Sequence, residues 1–193
     1  MSIEAIETDK QKTIARAAFE VFAEHGFRKT SMQLIAEKAG MSRPALYLHF
    51  QSKEDVFRFL SNSYLTKVAA DIDAVLVASG PPVEVLQSVF DAFDPNGMKA
   101  VLLDAKHGDE LMEVNETTVN DFADDIGARI RVALRKWLER EATQGHIHCD
   151  DPDMTSQTIM SSYFGLKNPK PSYADYKSRT KQLAQMLGRG LTA

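Results

Sequence analysis

The sequence predicts an all-α fold: an N-terminal head of three helices that contains a helix-turn-helix, joined by a long helix to a larger helical body. Three observations predict it. Apolar residues recur at three- and four-residue steps along most of the chain, and no stretch alternates with period two as a half-buried strand does. The helical stretches are punctuated by Gly and Pro at Gly26, Gly40, Gly80-Pro81-Pro82, Asp94-Pro95-Asn96-Gly97 and Asn168-Pro169-Lys170-Pro171. Finally, Thr30 to Lys53, TSMQLIAEKAGMSRPALYLHFQSK, has the pattern of helix, tight turn, helix. There is no internal repeat and no low-complexity segment.

The first helix is expected from Asp9 to His25, with Ile14, Ala18, Val21 and Phe22 as its buried stripe. Gly26 stops it and Phe27 packs back. The second runs from Ser31 to Ala39. Thr30 stands where it can cap this helix, with Gln33 three residues on as a capping box requires. Gly40 supplies the left-handed residue of the turn. Ser42 or Arg43 caps the third helix, Pro44 to about Phe50, and Pro44 is tolerated in its first turn because that N–H has no helical partner. Ala45, Leu46 and Phe50 face inward, leaving Arg43, Tyr47 and His49 outside.

A helix of about 25 residues follows, from Lys53 or Glu54 to about Ala78, some 37 Å at about 1.5 Å per residue. One end belongs to the head and the other to the body, so the domain division expected is 1–52 and 53–193. Further helices are expected over Val83–Phe93, Met98–His107, one long tract from Glu110 to about Thr143, Asp153–Lys167 and Ser172–Leu187. Tyr173, Tyr176, Thr180, Leu183 and Leu187 step by three and four, a seam spacing for packing on another helix.

Charge is unevenly placed. The whole chain of 193 residues carries a net −4. Between Lys10 and Lys53, however, eight cations (Lys10, Lys12, Arg16, Arg28, Lys29, Lys38, Arg43, Lys53) face three acids (Glu20, Glu24, Glu37). A basic head on an acidic body fits one end docking on phosphates rather than indiscriminate nucleic-acid binding. A short outward face with a cation, a phenol and an imidazole suits the major groove of duplex DNA. Arg43 is expected to read guanine. Pro44 and Tyr47 make groove contacts, His49 and Lys53 hold the backbone, and Ser42 joins them at the turn. Arg28, Lys29, Thr30 and Ser31 surround a helix N-terminus, which favours phosphate.

These residues carry a resemblance. GMSRPALYLHFQSKEDVF resembles the signature of the TetR family of bacterial transcription regulators, with the Gly-apolar-Ser turn, the Ala-Leu-Tyr centre, the His-Phe end and the Ser-Lys-Glu that opens the next helix. It covers roughly residues 9 to 60. The resemblance implies a repressor that binds a palindromic operator as a homodimer and leaves it when a small-molecule effector enters the body. It also implies dimerisation through the last two helices, about Asp153 to Leu187, and no enzymatic activity. Arg43-Pro44 departs from the residues frequent at this place in the family, so an operator sequence cannot be borrowed. The alternative is a helical ligand-binding protein or enzyme whose head has lost DNA binding; the intact basic helix pair opposes it.

One cysteine, Cys149, leaves no intramolecular disulfide to form, and no apolar run is long enough for a membrane span. A cytoplasmic protein is expected, with no membrane partner. His146, His148, Cys149 and Asp150 cluster in a loop, but no metal and no cofactor is expected: Walker, Rossmann, Glu-x-x-His and Gly-x-Ser-x-Gly patterns are all missing. Phe90, Phe93, Met98, Leu102, Met112, Phe122, Met160, Tyr163 and Phe164 suit either core or an effector pocket. His107 and Trp137 are expected to be its polar contacts.

Overall fold

The computed structural model describes residues 9–192. Among them are ten α-helices: α1 Asp9–His25, α2 Met32–Lys38, α3 Arg43–Tyr47, α4 Lys53–Val77, α5 Pro82–Ala92, α6 Met98–Asp104, α7 Gly108–Thr118, α8 Asn120–Thr143, α9 Pro152–Gly165 and α10 Tyr173–Leu191. A 3-10 turn, Pro95–Gly97, precedes α6. The only pairing of β type among these residues is an isolated bridge of Ile147 with Thr192. Among the described residues no helix is long and apolar enough to cross a membrane. The chain forms two compact units, one of residues up to Tyr64 with Asp104–Asn120, the other of Leu65–Leu103 with the residues from Asp121 onward.

The first unit is built on α1. Its stripe, Ile14, Ala18, Val21 and Phe22, is buried as its spacing requires, together with Ile35 and Ala36 of α2 and Leu46 of α3. Phe22, Phe27 and Phe57 form a triad with ring centroids 5.3 to 5.5 Å apart, which ties α1, the α1–α2 loop and the start of α4 together. Helix α7 also belongs to this unit. The Glu110 carboxylate accepts the Arg28 backbone N–H at 2.8 Å and lies against Gly26. At Gly26 φ is +81°, so the backbone calls for glycine; the atom nearest to where a Cβ would stand is Glu110 Oε2, the end of a side chain that can move aside.

In the second unit α10 lies along α5. The two helices come close at Gly188, where a Cβ would stand 2.6 Å from the Val83 backbone. The core includes Leu86, Val89, Phe90, Ile130, Leu134, Trp137, Leu138, Ile159, Tyr163 and Tyr176. Arg140 of α8 donates to the Leu76 and Ala78 carbonyls at 3.0 and 3.2 Å. It thereby satisfies orphan acceptors at the end of α4 and puts a cation at a helix C-terminus. Beside it Glu141, 1 % exposed, accepts from Ser79, Arg140 and His146. Burial pushes the Glu141 carboxyl up, but these three donors outweigh that and hold it below the usual range.

Two expectations are corrected. The tract expected as one helix from Glu110 to Thr143 is two, α7 and α8, broken at Val119, whose φ of −134° is not helical. Thr117, Thr118 and Val119 are three β-branched residues in a row, stiff at χ1 against the preceding turn, and the Val119 side chain is buried. Helix α3 ends at Tyr47, earlier than expected, because His49 N–H turns back to the Leu46 carbonyl at 2.9 Å in a tighter turn. Of the α10 seam, Tyr176 and Thr180 are buried within the single chain, 2 % and 1 % exposed, while Tyr173, Leu183 and Leu187 are half-buried.

Candidate nucleic-acid interface

The head presents a short helix held by two caps. Ser31 is the N-cap of α2, its Oγ accepting the Leu34 N–H at 3.3 Å. The end of α2 is a Schellman stop: Met41 N–H bonds the Ala36 carbonyl at 3.0 Å, Gly40 N–H bonds that of Glu37 at 3.1 Å, and Gly40 has φ +67°. Ser42 then caps α3 by accepting the Ala45 N–H at 3.3 Å, with Pro44 in the first turn. Of the two caps left open by the sequence for α3, the structure takes Ser42.

Leu46, 0 % exposed, and Phe50, 5 %, fasten this helix to the core. Ser42, Arg43, Pro44, Tyr47 and Leu48 are exposed and His49 is half-buried. Arg43 donates to the Tyr47 hydroxyl at 3.3 Å, with its guanidinium carbon 5.5 Å from the ring centroid. The two side chains therefore stand as one pre-arranged pair on the outer face, four residues apart. Arg28, Lys29 and Ser31 are exposed on the loop before α2.

Two residues expected to touch DNA are spent inside the protein. Thr30 is 3 % exposed and its Oγ1 donates to the Gly26 carbonyl at 2.7 Å, so it neither caps α2 nor faces outward. Lys53 Nζ donates to the carbonyls of Phe27, Arg28 and Thr30 at 2.7, 3.2 and 3.0 Å and sits 4.7 Å from the Phe27 ring centroid. An ammonium has three protons, and all three are engaged. In this geometry Lys53 clamps the loop that carries Arg28 and Lys29, rather than reaching for a phosphate itself. Arg28 in turn has Glu113 3.6 Å from its guanidinium, an exposed pair.

The two expected effector contacts fall in different units. His107 belongs to the first, with Nδ1 3.6 Å from Glu110 Oε2. Trp137 belongs to the second; it is 1 % exposed, and its Nε1–H has no acceptor. Trp137 borders an open groove of about 420 Å³ lined by Asp73, Leu76, Val77, Ala133, Lys136 and Arg140. The loop histidines and cysteine go elsewhere: His146 Nδ1 to Glu141 at 2.8 Å, Cys149 Sγ to Thr155 Oγ1 at 3.4 Å, and His148 to the surface.

Two features lie outside the expected site residues. Leu48 is 85 % exposed; its place four residues after Pro44 would have put it on the outer face of α3. Lys99 is 9 % exposed, its ammonium bonded to the hydroxyls of Tyr163 and Tyr176, which also bond each other at 2.6 Å. Phe90 and Phe93 stack on Tyr163 with centroids 5.2 and 4.2 Å away. No periodicity announces a lysine at the centre of an aromatic cluster.

Residues 14–59 match the profile of bacterial regulatory proteins, tetR family. The HTH-type transcriptional regulator YhgD of Bacillus subtilis is 24% identical over 159 residues, 82% of each chain. The HTH-type transcriptional repressor ComR of Escherichia coli is 28% identical over 142 residues, 69% of this chain and 66% of that one. Among solved structures, SmeT, the repressor of the Stenotrophomonas maltophilia multidrug efflux pump SmeDEF, is similar with a TM-score of 0.69, 18% identity and coverage of 97% of this chain and 92% of that one. A complex of SmeT with triclosan is similar at the same TM-score, 0.69, with 16% identity, covering 96% of this chain and 93% of that one. The capped head, the helical body and these likenesses agree: the chain carries, at residues 14–59, a head that matches the bacterial regulatory proteins of the tetR family, and it is a helix-turn-helix DNA-binding transcriptional regulator.

Proposed function

We propose that this regulator is a homodimeric repressor that reads a palindromic operator with α3 and is released when a small-molecule effector binds its body. The observation that carries the reading is the outer face of α3: a Ser42-capped helix offering a pre-paired Arg43 and Tyr47, with its opposite face buried. Arg43 supplies bidentate donors to guanine, a contact that gives about 1–3 kcal/mol of discrimination. Ser31, Ser42, Arg28, Lys29 and His49 hold phosphates around it. Residues 1–52 act as the DNA-binding part and 53–193 as the effector and dimerisation part, with α4 common to both compact units.

The dimer uses the outer faces of α9 and α10, within about Asp153 to Leu187. Met154, Phe164 and Met186 are 57, 44 and 65 % exposed there, apolar groups that a second copy would cover. Two heads then meet half-sites about 34 Å apart or a multiple of it. The binding of triclosan by SmeT supports an effector for this chain as well. The Trp137 groove is the place we favour, with the unpartnered indole N–H awaiting an acceptor. A regulator of this kind works in the cytoplasm and catalyses no reaction.

The test is a gel shift with the DNA flanking the protein's own gene, over a salt series, with a metabolite panel added. Binding that weakens as salt rises, is lost in Tyr47→Ala, and is relieved by one metabolite supports the reading. A chain that stays monomeric and binds no duplex overturns it.

A further inference from the structure

On the reading of α3 as the groove helix, we propose that Leu48 is a specificity-determining residue that packs on the 5-methyl group of a thymine in each half-site. Leu48 is 85 % exposed, more than any other large apolar side chain described, the next being Val77 at 77 %. A single exposed leucine is ordinary on a protein surface. Its placement is what distinguishes this one. It forms the C-cap of α3, with helical φ −71° and ψ −18°. Pro44 lies one turn before it on the same face, and Arg43 and Tyr47 stand on the adjoining face.

The opposite side of the helix is committed to the core through Leu46 and Phe50, so Leu48 cannot turn inward without displacing them. The outward surface is thus divided. One half is polar, with Ser42 and the Arg43 guanidinium held by the Tyr47 hydroxyl at 3.3 Å. The other half is apolar, made of the Pro44 ring and the Leu48 side chain. A major groove offers many donors and acceptors to a polar half but one apolar feature to an apolar half, the thymine methyl. The apolar half therefore selects T over C at the step it covers, while Arg43 selects guanine. Leu48 adds no charge, so it contributes to sequence choice and leaves the salt dependence untouched.

The test starts from duplexes selected in vitro from a random pool with the full-length protein at one fixed salt concentration. Each thymine of the selected site is then replaced by deoxyuridine, which removes the methyl and nothing else. Wild type, Leu48→Ala and Leu48→Met are titrated against each duplex, with folding and dimer state checked by circular dichroism and sedimentation. One thymine per half-site is expected to show about a fourfold loss with wild type, the worth of one methyl-sized group. Leu48→Ala binds the thymine and deoxyuridine duplexes alike, and Leu48→Met keeps most of the difference. An equal deoxyuridine penalty in Leu48→Ala overturns the proposal, as does a selected site in which no deoxyuridine matters. If no sequence is enriched at all, the reading of α3 fails too, which separates the two failures.

Discussion

Replacing Lys99 by Met should stabilise this protein at neutral pH and flatten its pH dependence. In the fold Lys99 titrates at about 7, against 10.5 for an ordinary lysine. Burial is the main cause; Lys167 adds to it, Asp94 opposes it and Lys177 adds a little more. Between these two values the unfolded chain holds more protons than the folded one, so stability climbs with pH across the window, and below it the penalty is complete. At 1.36 kcal/mol per unit, the whole shift is worth about 5 kcal/mol. By pH 7 about 4 kcal/mol of it is still in force, and by pH 9 about 2 kcal/mol.

Methionine has nearly the same length and no charge. It forfeits two hydrogen bonds to the phenols, about 1 kcal/mol each, but Tyr163 and Tyr176 keep their mutual bond and are not orphaned. The net expectation is a variant about 2 kcal/mol more stable at pH 7, with the advantage shrinking to near zero by pH 9. The assay is urea unfolding of both proteins at several pH values and one fixed protomer concentration. A difference between variant and wild type that is constant from pH 7 to 9 would show that Lys99 does not titrate there and would refute the reasoning.

Two other substitutions separate roles that residue type alone leaves mixed. Lys53→Met removes the donor from three carbonyls and should lower stability by about 2–3 kcal/mol. It should weaken DNA binding without changing the slope of log K against log salt; a slope smaller by about one would instead mark Lys53 as a phosphate contact. Glu113→Gln releases the exposed Arg28 guanidinium from its acid. That pair is worth at most about 1 kcal/mol, so the melting temperature should barely move. DNA binding should tighten a few-fold, and unchanged affinity would mean that Arg28 stays off the DNA.

Much of the head was legible along the chain because its signals are local. The α1 stripe, the Gly40 turn, Pro44 in the first turn and the inward Leu46 and Phe50 depend on neighbours within one or two helical turns, and each stands where its spacing puts it. Errors came where two local choices were nearly equal. Thr30 and Ser31 are both good caps, and the choice between them was made by the Gly26 carbonyl, which takes the Thr30 hydroxyl and leaves Ser31 to cap. At Val119 a long run of helical periodicity concealed a break, because apolar spacing records the buried side and not continuity of the backbone.

The sequence by itself determined the all-helical class, the order of the elements, and the face of α3 that is left outside, since all three follow from periodicity, caps and turn residues. Only the tertiary structure decided where the polar groups are spent. Lys53 meets carbonyls more than twenty residues before it, and Lys99 meets hydroxyls on α9 and α10. A lysine or arginine looks the same in sequence whether its donors are free or filled. Its partner is set by chain folding over tens of residues, and the cost of leaving a buried donor or acceptor unmet is what forces the match.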